Sequence, residues 1–85
     1  LVDDRHEAFL AHGDARLVGV AGDTVSLLPL SSEVKDVHTH GLLYPLQGET
    51  LRRSALRGVS NSMTEGRARV THGSGLLLII HYRER

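Results

Sequence analysis

The apolar residues of this chain fall into short runs broken by turn residues, and the clearest period among them is two. Arg67-Ala68-Arg69-Val70-Thr71 alternates strictly, which places the arginines on one face of a strand and Ala68 and Val70 on the other. Leu76-Leu77-Leu78-Ile79-Ile80-His81-Tyr82 is apolar on both faces. It predicts a strand in the middle of a sheet, covered on both sides or lying at a contact between copies. Thr24-Val25-Ser26-Leu27-Leu28-Pro29-Leu30 is β-branched and aliphatic, and Pro29, which cannot donate a ladder hydrogen bond, marks where that strand stops. Residues 1–11 fit neither a helical nor a strand period well, but His12-Gly13-Asp14 follows as a turn, and Leu17-Val18-Gly19-Val20 is a further apolar run. Two antiparallel strands joined by that turn are expected. Residues 34–40 mix charge signs and faces as an exposed strand would, and Gly41 then breaks the strand, a position where the chain bends sharply or something approaches the backbone closely. Gln47-Gly48-Glu49 reads as a polar turn, and residues 52–57, without a period, as loop or irregular edge. The sum is an all-β chain, an antiparallel β-sandwich of about eight to ten short strands with turns roughly every 8–12 residues.

Composition narrows this further. At 85 residues the chain is a single domain and buries little more than ~60% of the surface its unfolded form exposes, so its stability margin is thin and a partner surface would help. Ten basic residues balance ten acidic ones, and the aromatics are Phe9, Tyr44 and Tyr82. This argues against a nucleic-acid binder, which carries a basic excess or a row of stacking rings. Cysteine is absent, which excludes disulfides and thiolate zinc sites and is consistent with a cytoplasmic setting. The longest apolar run, residues 76–80, falls far short of the ~20 residues that span a bilayer, and no signal peptide is evident. A start on Leu1 rather than methionine points to a fragment of a longer protein.

Candidate chemistry concentrates in residues 41–61. Tyr44 is stiffened from its C-terminal side by Pro45, and sixteen residues later Gly58-Val59-Ser60-Asn61 brings two short polar side chains after glycine. A ring to stack on and a hydroxyl–carboxamide pair to read a heteroaromatic edge suit a small flat ligand. Each also has a plainer reading. Tyr44 could be a half-buried core aromatic, and Ser60-Asn61 a turn bonding to its own backbone. His38 and His40, two apart on a strand, share a face, but no third ligand stands at a defined spacing, so they read as solvated surface and no metal site is expected. Asp3-Asp4 reads as linker charge.

Three blocks, Ser26-Leu27-Leu28-Pro29-Leu30, Val37-x-Thr39-x-Gly41-Leu42-x-Tyr44-Pro45-Leu46 and Gly58-Val59-Ser60-Asn61, taken in order and at these separations, resemble the C-terminal, thiamine-binding domain of the thiamine pyrophosphokinase (thiamine diphosphokinase) family. The likeness runs from about Leu1 to the last strand. It implies a β-sandwich that follows an α/β catalytic domain absent from this chain, the latter carrying the acidic Mg²⁺ and ATP site. It also implies transfer of diphosphate from ATP to thiamine, giving thiamine diphosphate and AMP, in a homodimer whose thiamine lies between the sandwich of one subunit and the catalytic domain of the other. This chain alone is then expected to be inactive, with no cofactor of its own.

By the same resemblance Tyr44 stands at the motif's aromatic position, and Ser60 and Asn61 near the thiamine pyrimidine, with no catalytic residue in the chain. An aminopyrimidine edge offers a donor flanked by ring-nitrogen acceptors, which a hydroxyl and a carboxamide can match. A cationic thiazolium over an aromatic face gains roughly 0.5–2 kcal/mol. Arg52, Arg53 and Arg57 lie between the two motifs, where one of them could face nucleotide phosphates, or form a solvated loop. The alternative function is a non-enzymatic β-sandwich acting as a small-molecule-sensing or protein-interaction module.

Overall fold

The structure, a computed structural model, describes residues 5–54 and 60–83. It places eight strands: β1 (His6–Ala11), β2 (Asp14–Val18), β3 (Thr24–Pro29), β4 (Glu33–His40), β5 (Gln47–Arg52), β6 (Ser60–Ser62), β7 (Arg67–Thr71) and β8 (Leu77–Tyr82). They form two four-stranded antiparallel sheets, ordered β1-β8-β3-β6 and β2-β7-β4-β5. The chain is thus the expected all-β sandwich. No helix among the described residues is long and apolar enough to cross a membrane.

Alternation decides which side chains meet between the sheets. In the first sheet Leu77 and Ile79 of β8, Val25 and Leu27 of β3 and Ala11 of β1 turn inward, with Phe9 packed at their margin. The second sheet answers with Ala15 and Leu17, Ala68 and Val70, Val34, Val37 and Leu51. Burying each Val, Leu or Ile side chain among them contributes about 1.5–3 kcal/mol, and this shared layer is the core. Met63 and Leu42 close one end of it. As its double-sided pattern predicts, β8 is an interior strand, flanked by β1 and β3. Its outward residues Leu78 and Ile80 are only half-covered, and with Ala8, Leu10 and Leu28 they make the outer face of the first sheet apolar. Pro29 ends β3 beyond the reach of β6, which pairs only with Thr24, Val25 and Ser26.

Three local expectations are corrected. β1 and β2 are not a hairpin: β1 pairs with β8 and β2 with β7, so the turn at His12-Gly13 carries the chain from one sheet to the other. His72, at the end of β7 where the chain crosses back, braces that corner, with its Nε2 3.1 Å from the Gly13 N–H and 3.0 Å from the Ala11 carbonyl. β4 is not an exposed strand but lies between β7 and β5. Its mixed pattern comes from a bulge, in which Asp36 adopts a left-handed conformation (φ 58°) and the register shifts, so Val34 and Val37, three apart, both point inward. Gln47-Gly48-Glu49 is not a turn but the first half of β5, an edge strand that buries only Leu51 and takes its order from the ladder with β4.

Candidate functional site

Gly41 creates the site's geometry. With φ 81° it turns the chain out of β4 so closely over β7 that a Cβ would overlap the carbonyl oxygen of Arg67. The next residues cross to the other sheet. Leu42 bridges Met63, Leu43 N–H donates to the Ser62 carbonyl at 2.8 Å, and Thr64 N–H donates to the Gly41 carbonyl at 2.9 Å. Residues 42–44 therefore run along the free edge of β6 and extend the first sheet. At the far end of this crossing Leu46 N–H donates to Thr39 Oγ1 at 2.8 Å and its carbonyl accepts from Thr39 N–H at 3.0 Å.

Asn61 holds the middle of the crossing. It is 5% exposed. Its Oδ1 accepts from Tyr44 N–H at 3.0 Å and from Ser62 N–H at 2.9 Å, while its Nδ2 donates to the Tyr44 carbonyl at 2.7 Å. One carboxamide thus fixes both backbone polar groups of Tyr44, as a neighbouring strand would. The Tyr44 side chain, by contrast, is 67% exposed and presents its ring to solvent. Ser60 is exposed too. By strand alternation it faces outward, in one cross-strand row with Ser26, Ile80 and Ala8, so its hydroxyl borders the apolar outer face of the first sheet.

The structure brings Tyr44 and Asn61 into contact and sets Ser60 beside them, but it does not bring Arg52 or Arg53 against Tyr44. Arg52 Nε stands 3.6 Å from Glu33 Oε2, and Arg53 Nη1 donates to the Leu30 carbonyl at 2.9 Å, both around the turn that precedes β4. Arg57, like Gly58, Val59 and Asp3-Asp4, lies outside the described residues. His38 and His40 sit on the outer face of the second sheet, His38 Nε2 2.9 Å from Asp36 Oδ1. Among the described residues no group of three or more His, Asp or Glu side chains is placed to hold a metal ion.

Two features escaped the sequence reading. The first is a buried pair, His81 at 1% and Asp23 at 2% exposure, with Nε2 and Oδ2 2.9 Å apart. Asp23 Oδ2 also accepts from Val20 N–H at 3.1 Å, closing the turn between β2 and β3. The signal was present: His81 has the inward parity of Leu77 and Ile79, and a buried imidazole needs a partner. The second is a groove of ≈ 480 Å³ on the outer face of the second sheet, lined among others by Arg16, Val18, His40, Glu65, Arg67 and Arg69. Another, of ≈ 430 Å³, opens between His38, Pro45 and Gln47. Neither is lined by Tyr44, Ser60 or Asn61.

Beside the larger groove Asp14 and Arg69 form a two-bonded pair, Nη2 to Oδ2 at 2.7 Å and Nε to Oδ1 at 3.0 Å. The Arg69 hydrogen bonds hold the Asp14 carboxyl below its ordinary value. A carboxyl depressed in the folded state stabilises above its unfolded value, and that contribution is lost as pH falls through the folded one. Asp14→Asn should therefore lower the unfolding midpoint slightly at neutral pH, and the gap to the parent chain should close in acid. Urea titrations at a series of pH values check this; a gap that persists in strong acid would contradict it.

Comparison with known proteins gives a consistent answer. The family model described as "Thiamin pyrophosphokinase, vitamin B1 binding domain" matches residues 13–77. Among solved structures, thiamin pyrophosphokinase from Geobacillus thermodenitrificans superposes with a TM-score of 0.85 at 22% identity, over 98% of this chain and 40% of its own. Thiamine pyrophosphokinase from Bacillus subtilis gives 0.84 at 17% identity, over 99% of this chain and 40% of its own. A thiamin pyrophosphokinase family protein from Enterococcus faecalis gives 0.65 at 14% identity, over 99% and 39%. The chain thus spans about two fifths of the length of these structures. A search of curated proteins finds no significant match.

Proposed function

Because the chain belongs to the family of the thiamin pyrophosphokinase vitamin B1 binding domain, we propose that it is the part of a thiamine diphosphokinase that binds thiamine and joins two subunits. In this reading the hydroxyl oxygen of thiamine attacks the β-phosphorus of ATP, the bond to the bridging oxygen of the α-phosphate breaks, and AMP leaves as the hydroxyl gives up its proton. Catalysis of this kind is positioning and charge neutralisation, and the sandwich supplies the positioning. The observation that carries the reading is an exposed Tyr44 ring on a backbone clamped at both its N–H and its carbonyl by Asn61. Its ring takes the cationic thiazolium or the pyrimidine face, and the Ser60 hydroxyl takes the pyrimidine edge. Asn61, whose carboxamide is engaged by Tyr44, acts as a positioning residue for that ring.

Mg²⁺ and ATP belong, in this proposal, to an α/β domain supplied by the rest of the enzyme, in the cytoplasm where ATP is available. Mg²⁺ there would offset the phosphate charge. The apolar outer face of the first sheet, which runs up to Ser60, supports the second subunit as its cover.

The test is thiamine titration and AMP release, measured on the enzyme that contains this domain. Tyr44→Ala should weaken thiamine binding roughly 2- to 30-fold, the range of a lost cation–π contact, with ATP affinity unchanged. Ser60→Ala should weaken it without altering stability, whereas Asn61→Ala should lower both. Unchanged thiamine affinity in Tyr44→Ala and Ser60→Ala would overturn the site. The isolated chain should bind thiamine weakly and release no AMP.

A further inference from the structure

We propose that the groove on the outer face of the second sheet binds a phosphate-bearing anion, an oligophosphate or nucleotide, between Arg16 and Arg67. The proposal does not rest on the proposed thiamine site, whose Tyr44, Ser60 and Asn61 belong to the β6 edge of the other sheet. Register brings the cations together: Arg16 stands directly opposite Arg69, and Arg69 directly opposite His40, in one row across β2, β7 and β4. Like charges opposed across strands are destabilising. In a chain whose ten basic and ten acidic residues cancel, overall basicity does not explain such a row. Asp14 hydrogen-bonds Arg69, and its carboxylate attracts Arg16 only through space, the smallest of the contributions that lower its pKa. Arg16 and Arg67 have no ion-pair partner among the described residues.

Arg67 is the diagonal neighbour of Arg16 across the β2–β7 ladder, at a Cα separation of roughly 7–8 Å. Two guanidinium forks at that spacing can converge on successive phosphates of one chain, each offering paired N–H donors. Between them the groove provides ≈ 480 Å³ of open space. Gly41 lines it with its backbone packed against the Arg67 carbonyl, and just beyond the lining Gly19 N–H donates to the Gly66 carbonyl at 2.9 Å. The cations are therefore carried on a preformed surface, which lowers the ordering cost of binding. Val18, 74% exposed and opposite Arg67, adds an apolar contact for the body of a nucleotide. Glu65 is the one carboxylate lining the groove, and it opposes the anion.

The experiment is calorimetric or NMR titration of the chain at low ionic strength with sodium tripolyphosphate and, separately, with metal-free ATP. Saturable binding of either supports the site. Tighter binding of ATP identifies a nucleotide, and equal binding a free oligophosphate chain. Arg16→Gln combined with Arg67→Gln should weaken the affinity by about tenfold or more, the effect of losing one to two charge-assisted contacts. Glu65→Gln should tighten it, and Arg52→Gln with Arg53→Gln should leave it unchanged. Absence of saturable binding, or equal affinity in the Arg16/Arg67 variant, overturns the proposal. Should that variant fail to fold by circular dichroism, Glu65→Gln decides, and an affinity no tighter than the parent's overturns it. Thiamine affinity, measured in the full enzyme, is expected to survive the Arg16/Arg67 change, so failure here is distinguishable from failure of the thiamine site.

Discussion

Replacing Asp23 with alanine should cost about 2–5 kcal/mol of stability, because it strips the acceptor from a buried imidazole and from a backbone N–H, at about 1–3 kcal/mol each. The loss has two sources. His81, 1% exposed, would keep its imidazole in the core with no carboxylate 2.9 Å away, and Val20 N–H would lose the acceptor that closes the turn between β2 and β3. Water cannot readily compensate, because the pair is packed tightly: a Cβ on Gly19 would fall 2.6 Å from Asp23 Oδ2 and 2.8 Å from the His81 ring. Domains of this size have only about 5–15 kcal/mol in hand, so the variant should be marginally folded at room temperature. Asp23→Asn keeps an acceptor of the same shape and should cost less, about 1–2 kcal/mol. Urea unfolding followed by circular dichroism measures both, through the midpoint at constant slope. A loss below about 1 kcal/mol for alanine would mean that the pair carries far less than its burial implies.

Gly41→Ala should be comparably severe, about 3 kcal/mol or more, because two separate costs coincide. One is the left-handed backbone, φ 81°. The other is the overlap of the new Cβ with the Arg67 carbonyl, which belongs to the β2–β7–β4 ladder and cannot swing away as a side-chain end would. Gly22→Ala separates the two, since Gly22 is also left-handed (φ 98°) but has nothing within 4 Å of its Cβ position. It should cost only about 1 kcal/mol. Equal losses at the two positions would show that conformation alone, and not the closeness of β4 to β7, makes residue 41 a glycine. Because Gly41 launches the segment that carries Tyr44, the proposed thiamine site predicts that its replacement also weakens thiamine binding in an enzyme containing this domain, while Gly22→Ala does not.

Where the sequence pattern was local, it was legible. The alternation of β7, the interior position of β8 and the end of β3 at Pro29 all follow from period two and from proline's missing donor. Pattern failed where a single residue shifts parity, as Asp36 does between Val34 and Val37. It failed again where order comes from a neighbour, as in β5, whose side chains are mostly exposed. The turn after β1 has the same chemistry whether its strands pair or part, so no local signal separates a hairpin from a crossing between sheets. For the proposed site, Tyr44, Ser60 and Asn61 are candidates named from their types and order. That the Asn61 carboxamide turns back onto the Tyr44 backbone depends on its inward parity in a three-residue strand. Likewise Arg16 and Arg69 are 53 positions apart in the chain, and only register sets them face to face.

The bulge in β4 has an effect beyond the core. β5 is an edge strand of its sheet among the described residues, and its bonding to β4 shifts twice, at Val34/Val37 and at Val37/His38. Bulges of this kind twist an edge and spoil the even row of peptide groups that a further strand needs for docking. Gln47 and Glu49 add polar, partly charged side chains there, and the Gln47 N–H is already turned onto the Glu49 carboxylate. Stacking of copies edge to edge into a continuous ribbon, the usual route from a small β domain to fibrils, is thereby discouraged on this side.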